Sequence, residues 1–268
     1  MAASTKDAVV AKPSGKMHAF EVDLWITDLN TTEFGIFKRS RNRAKSRQFT
    51  SDMDIFAEVK EGGERTGLLG YRADLWENKT GMDRRLVIKL FTPTMRWKGS
   101  IELMMARSLQ LTHGARGIPV PAFSVNLDAH DQIIQLERSA SKWPGIPESF
   151  SFFVMKNLSD GRPSFFRLRR NWVSIGDDYI LYDEKDRQIG KLNGRILNLG
   201  GKWKVEYEEE YADTRLDQVL QMFCSMLKFN DDCRNHISDL FGDIHSGRVT
   251  PHVETQETDM YLNPRRVR

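Results

Sequence analysis

Residues 213–229 read DTRLDQVLQMFCSMLKF, and across them the chain changes its period. Leu216, Val219, Leu220, Phe223, Met226 and Leu227 recur at three- and four-residue steps, the spacing that lines one face of an α-helix. Asp213 or Thr214 can cap such a helix, and Asp217 falls in its first turn, where a carboxylate meets the positive end of the helix dipole. Met222 and Cys224 carry the apolar sector well past a single stripe. A helix this apolar must be enclosed by other structure. Two enclosures fit: it closes one end of a barrel, or it threads the interior.

The segment just upstream supplies the wall. Short apolar-rich runs at 152–155, 165–168, 173–175, 179–182, 188–192, 195–199 and 202–207 read as strands. Their separators are turn chemistry: Ser159-Asp160-Gly161, Gly176-Asp177-Asp178, Asp183-Glu184-Lys185-Asp186, Asn193-Gly194 and Gly200-Gly201. Strands this short and this regular make an antiparallel meander that packs as a barrel or a sandwich.

The first half is less regular. Residues 1–16 read as a flexible leader, and strand patterning starts at Met17. Residues 53–59 place Met53, Ile55, Ala57 and Val59 on one face, and Gly62-Gly63 offers a hairpin turn. Residues 68–76 and 86–91 follow as strands. Residues 99–113 read as a helix capped by Ser100, with Leu103, Met104, Leu109 and Leu111 apolar. Strands at 122–127 and 132–136 come next, and 139–149, with Pro144, Gly145 and Pro147, reads as a connection. One domain over 17–249, in halves of about 17–140 and 150–230, is expected, with 250–268 a polar tail. Residues 64–72 echo residues 187–195, and each is followed by a tryptophan, Trp76 or Trp203, as two barrel halves would require.

Composition places the chain in the globular class, at 40% hydrophobic and 29% charged residues. Cys224 and Cys233 are the two cysteines, too few for a disulfide scaffold, so a reducing, cytoplasmic setting is expected. No stretch approaches the roughly 18 apolar residues of a spanning helix. Any membrane role is therefore expected to be peripheral.

Residues 165–227, FFRLRRNWVSIGDDYILYDEKDRQIGKLNGRILNLGGKWKVEYEEEYADTRLDQVLQMFCSML, resemble the Tubby C-terminal-like group. That group includes Tubby proteins, phospholipid scramblases and LURP-one-related proteins. The resemblance rests on the turn at Tyr182-Asp183-Glu184-Lys185-Asp186, the Ile189-Gly190 strand and the apolar helix that ends the run. It implies a mainly β fold, a closed antiparallel barrel of about twelve strands around a central C-terminal helix. It also implies a non-enzymatic binding or scaffold protein that takes anionic phospholipid headgroups, such as phosphoinositides, at a membrane surface. The cysteine-rich segment of scramblases is missing, so lipid scrambling is not implied.

The residues themselves offer two basic patches. Lys38, Arg39, Arg41, Arg43, Lys45 and Arg47 fall within ten residues that hold no acid. Such a run either docks a polyanion or is a solvated loop. Arg167, Arg169 and Arg170 lie beside Phe165, Phe166 and Trp172. Arginines interleaved with aromatics suit single-stranded nucleic acid, and strand alternation accounts for them equally well. Nucleic acid is thus the alternative partner. A metal-dependent nuclease built on Asp54, Glu58 and Lys60 comes third. Cys233 and His236 make half a zinc site, and no nucleotide-binding or nucleophile motif is present. No catalytic residue, metal or cofactor is expected.

Overall fold

Twelve strands close on themselves in the order β1-β12-β11-β10-β9-β8-β7-β6-β5-β4-β3-β2, every neighbour antiparallel. The structure, a computed structural model, describes residues 15–24, 53–128, 130–140, 147–155, 163–171, 178–195 and 201–262. The strands are β1 Met17–Leu24, β2 Met53–Glu61, β3 Glu64–Arg72, β4 Val87–Phe91, β5 Trp97–Leu103 and β6 Ala122–Leu127. The rest are β7 His130–Arg138, β8 Ser149–Met155, β9 Pro163–Arg170, β10 Tyr179–Tyr182, β11 Gln188–Arg195 and β12 Lys202–Glu208. Helices are α1 Ala73–Trp76, α2 Met105–Gly114, α3 Thr214–Met226, α4 Asn230–His245 and α5 Thr255–Leu262. The seam runs from Met17 opposite Glu208 to Asp23 opposite Lys202. Closure satisfies every strand edge within the sheet, which an open sheet cannot do.

Helix α3 fills the interior, so of the two enclosures the chain uses the second. Asp213 caps it, accepting from the Arg215 N–H at 2.8 Å. Leu216, Val219, Leu220, Met222, Phe223, Cys224 and Met226 are all buried, with Gln218, Gln221 and Ser225 buried between them. Phe223 meets Phe150 and Tyr179 edge-on, with ring centroids 5.2 and 5.3 Å away. Gly99 on β5 makes room on the other side. A Cβ there would lie 3.2 Å from Met222 Cε and 2.9 Å from the Asn126 carbonyl. A 3₁₀ turn, Leu227–Phe229, leads into α4. Phe229 packs there among Phe56, Tyr71 and Trp76. Helix α4 buries a stripe, Asn230, Cys233, Ile237 and Leu240, as a helix lying on a surface does.

Several local expectations change in the structure. Residues 97–103 are strand, and the helix begins at Met105. Ser100 sits in mid-strand opposite Lys89 and Asn126, and the alternation of buried Ile101 and Leu103 outweighs its capping chemistry. β3 ends at Arg72, after which residues 73–76 turn helical. Asn193-Gly194 is not a turn, because β11 runs through it. Gly194 is required by the Trp203 ring, whose nearest atom would lie 2.9 Å from any added Cβ. A register shift at Phe56 breaks the stripe of residues 53–59. Ala57 and Val59 join the core with Phe56, whereas Met53 and Ile55 lie over Gly70 on the other face of the sheet, where Met53 is still buried. The echoing segments fall on β3 and β11, eight strands apart, where a two-fold repeat of twelve needs six. The strands expected at 173–175 and 195–199 lie wholly or largely outside the described residues.

Candidate functional site

Period-two alternation sorts β8 and β9 into two faces. Phe150, Phe152, Val154, Phe166 and Leu168 are buried in the core. Ser151, Phe153, Phe165, Arg167 and Arg169 stand on the outside. Register then brings them together: Phe153 lies opposite Phe165, and Arg167 lies between Ser151 and Tyr182. The Phe153 and Phe165 ring centroids are 4.9 Å apart, and Phe153 is 56% exposed. The Arg167 guanidinium sits 5.5 Å from the Tyr182 ring and is paired with Asp186. Among the described residues its Nε–H finds no acceptor. Arg169 and Arg170 are exposed where β9 reaches the barrel rim. The result is an outward face with an aromatic pair at one end and arginines at the other.

Phe153 and Tyr182 were not singled out from the sequence. The alternation of SFSFFVM could have placed Phe153 outside, but its contact with Phe165 depends on a register that the sequence does not state. Asp186 was not expected as a partner either. It enters because the 183–187 turn folds tightly: Asp183 Oδ1 accepts from the Lys185 and Arg187 N–H groups at 2.9 Å each, and Tyr211 OH donates to Oδ2 at 2.9 Å. Asp186 there takes a left-handed backbone, φ 59°.

The six cations from Lys38 to Arg47 and Trp172 lie outside the described residues. The structure brings the remaining candidates together in ways that matter chemically. Asp54 and Glu58 are four residues apart on one strand, a spacing that normally shares a face. The shift at Phe56 puts Asp54 opposite inward Tyr71 and Glu58 opposite outward Leu68, so they share no site. Both Glu58 oxygens are already engaged, one by Lys60 at 2.6 Å and one by Arg65 at 2.5 Å. Burial pushes the Glu58 carboxyl up, but these two cations outweigh it and hold the group below its ordinary value. Cys233 is fully buried, which drives its thiol well up, and the His236 ring is bonded to the Gly81 carbonyl at 3.0 Å. They make no zinc site.

No family model, curated protein or solved structure matches the chain.

Two further polar groups belong to the frame. Asp217, at the mouth of the barrel, accepts from Tyr207 OH at 2.7 Å and lies 3.0 Å from His18 Nε2. This ties the start of α3 to β1 and β12. Asp83, His252 and Glu254 bring three ligand atoms within 4.8 Å of one another, a set able to take a divalent cation. His252 Nε2 already bonds Asp83 at 3.0 Å, and Asp83 and His252 are exposed. No described helix is long and apolar enough to cross a membrane.

Proposed function

We propose that the chain is a non-enzymatic binding and scaffold protein of the Tubby or LURP-one-related type that docks on anionic phospholipid headgroups at a membrane surface. The observation that carries this reading is the outward face of β8, β9 and β10. There exposed Phe153, packed on half-buried Phe165, adjoins Arg167 and Arg169. Exposed apolar rings such as Phe bury at the boundary between headgroups and acyl chains, and each cation near an anionic leaflet contributes roughly 1 kcal/mol. The closed barrel around an apolar helix supports the family assignment, since that is the architecture the resemblance implies. The same face suits a second ligand, single-stranded nucleic acid, because Phe153 and Phe165 offer stacking surfaces beside arginines.

Sedimentation with vesicles of phosphatidylcholine, with and without an added phosphoinositide, tests the reading beside a gel shift with a single-stranded oligonucleotide. Binding to the anionic vesicles is expected. It should fall about fivefold in Arg169→Ala and further in Phe153→Ser, while thermal unfolding stays close to that of the parent. A neutral variant of all six cations from Lys38 to Arg47 measures their share separately. Equal sedimentation with neutral and anionic vesicles would reject the membrane reading. An oligonucleotide shift lost in the same two variants would move the assignment to nucleic acid.

A further inference from the structure

The stretch expected to be a polar tail is a strap whose helix, α5, lies on α2 and β5. Glu257, 3% exposed, accepts from the N–H groups of Ala106 and Arg107 at 3.0 and 2.8 Å, where α2 lacks a capping side chain of its own. Beside it Gln256 donates to Glu102 Oε2 at 2.6 Å, and Met260, one turn on, is buried. The approach to α5 is held differently. His252 and Glu254, two residues apart just before the helix, meet Asp83. Asp83 ends the 3₁₀ turn Gly81–Asp83, 169 residues before His252.

The three ligand atoms form a small triangle. His252 Nε2 lies 3.0 Å from Asp83 Oδ1 and 3.4 Å from Glu254 Oε1, and all three atoms fall within 4.8 Å of one another. Bonds of about 2.0–2.2 Å at tetrahedral angles place ligand atoms about 3.3–3.6 Å apart, so the triangle is close to one face of a tetrahedron. A single proton on Nε2 serves one carboxylate well, whereas a metal ion serves both. The charges point the same way. Two carboxylates face one imidazole, and among the described residues no Lys or Arg pairs with either. The arginines next to Asp83 are turned elsewhere. Arg84 donates to the Trp76 carbonyl at 2.8 Å, with its guanidinium 4.2 Å from the Trp76 ring, and Arg85 pairs with Gln256. Both arms of the triangle are held in place from outside it. On one, the Gly81 carbonyl is bonded to His236 at 3.0 Å and Met82 is buried. On the other, the Glu254 carbonyl accepts from the Thr258 N–H at 2.9 Å. Asp83 and His252 are exposed, which leaves a fourth position open to water. We propose that Asp83, His252 and Glu254 bind a divalent cation of the zinc class, which clamps the strap to the turn before β4. One nitrogen and two carboxylate oxygens suit zinc better than calcium or magnesium, which take six or more oxygens.

Equilibrium dialysis of the full, untagged chain against Zn²⁺ tests the site. A single ion should bind, and it should bind at least about tenfold more weakly in Asp83→Ala and in His252→Ala. His245→Ala, which removes an exposed imidazole from α4, should bind as the parent does. Mg²⁺ and Ca²⁺ should bind at least about tenfold more weakly than Zn²⁺. With Zn²⁺ added, amide exchange across 255–262 should slow about fivefold or more in the parent and not at all in His252→Ala, with the barrel strands unchanged in both. Glu254→Gln offers the same readouts and covers a failure of either other ligand variant to fold. A parent chain that takes up no Zn²⁺ would overturn the proposal. So would Zn²⁺ binding that survives all three ligand substitutions. Bound Zn²⁺ that left exchange across 255–262 unchanged would overturn the clamp.

Discussion

Helices α3 and α5 come from the same end of the chain and are held by opposite means. Ten of the thirteen residues of α3 are buried, most of them apolar, and strands surround it on every side. Two of the eight residues of α5 are buried, and one of those is a carboxylate bonded to another helix's N–H groups. Non-directional burial scales with area and needs no named partner, so α3 is held by the whole barrel. Directional bonds need one partner each, so α5 is held at a few points. The barrel is expected to stand or fall with α3, and α5 to open by itself.

The sharpest test of that contrast sets one substitution in each helix side by side. Phe223→Ala removes a ring packed between Phe150 and Tyr179 and leaves a cavity in a closed wall, so it should cost about 3–5 kcal/mol. Loss of the cap in Glu257→Ala should cost about 1 kcal/mol or less of global stability, because the barrel does not depend on the strap. Urea unfolding followed by tryptophan fluorescence reads both. Similar losses would mean that the strap is part of the barrel's cooperative unit.

The same distinction explains what could be read from the sequence. The apolar period of α3 announces a buried helix wherever the helix is placed, and the turn residues between short strands announce a meander. The closing of β1 on β12 has no local mark, since Phe20 meets Val205 across most of the chain. The outward placement of Arg167 and Arg169 follows from alternation, but Phe153 joins them through register alone. A shift at Phe56 separates Asp54 from Glu58, and nothing in the residue types there signals it. Glu257 looks like one more acid in a polar stretch, because the N–H groups that give it a role belong to α2. Area-driven features are legible, and partner-driven ones are not.

A smaller effect is expected where backbone meets wall. Gly190 lies against β12 so closely that an added Cβ would be 2.5 Å from Tyr207 Cβ and 2.7 Å from the Glu206 carbonyl, neither of them a flexible chain end. Gly190→Ala should therefore cost about 1–3 kcal/mol through overpacking. Gly242, on the surface helix α4, has nothing within 4 Å of its absent Cβ, and Gly242→Ala should raise stability by about 0.5–1 kcal/mol. Thermal unfolding of the two variants should move in opposite directions. A loss in both would place Gly242 under a constraint that its open surroundings do not account for.

The smallest effect is a difference in pH dependence between the two ends of the buried rod. Glu148 receives bonds from Tyr179 at 2.9 Å and from Asn230, at the start of α4, at 3.2 Å, and pairs with Arg138. Burial pushes its carboxyl up, but Arg138 and these bonds outweigh burial and hold it below its ordinary 4.5. A lowered value means that the folded state holds the proton less tightly than the unfolded chain. Its contribution is therefore complete above 4.5 and is lost as pH falls through the folded-state value. Asp217, at the start of α3, goes the other way: burial raises it above 3.8 despite the bonds from Tyr207 and His18. Its contribution is complete below 3.8 and is lost as pH rises through the raised value. Glu148→Gln should thus flatten the acid limb of a stability–pH curve, whereas Asp217→Asn should gain on the parent as pH rises from 4. If both variants ran parallel to the parent, neither carboxyl would titrate differently in the folded and unfolded chain. The polar anchors at the rod's two ends would then be interchangeable, and the apolar middle of α3 alone would fix its place in the barrel.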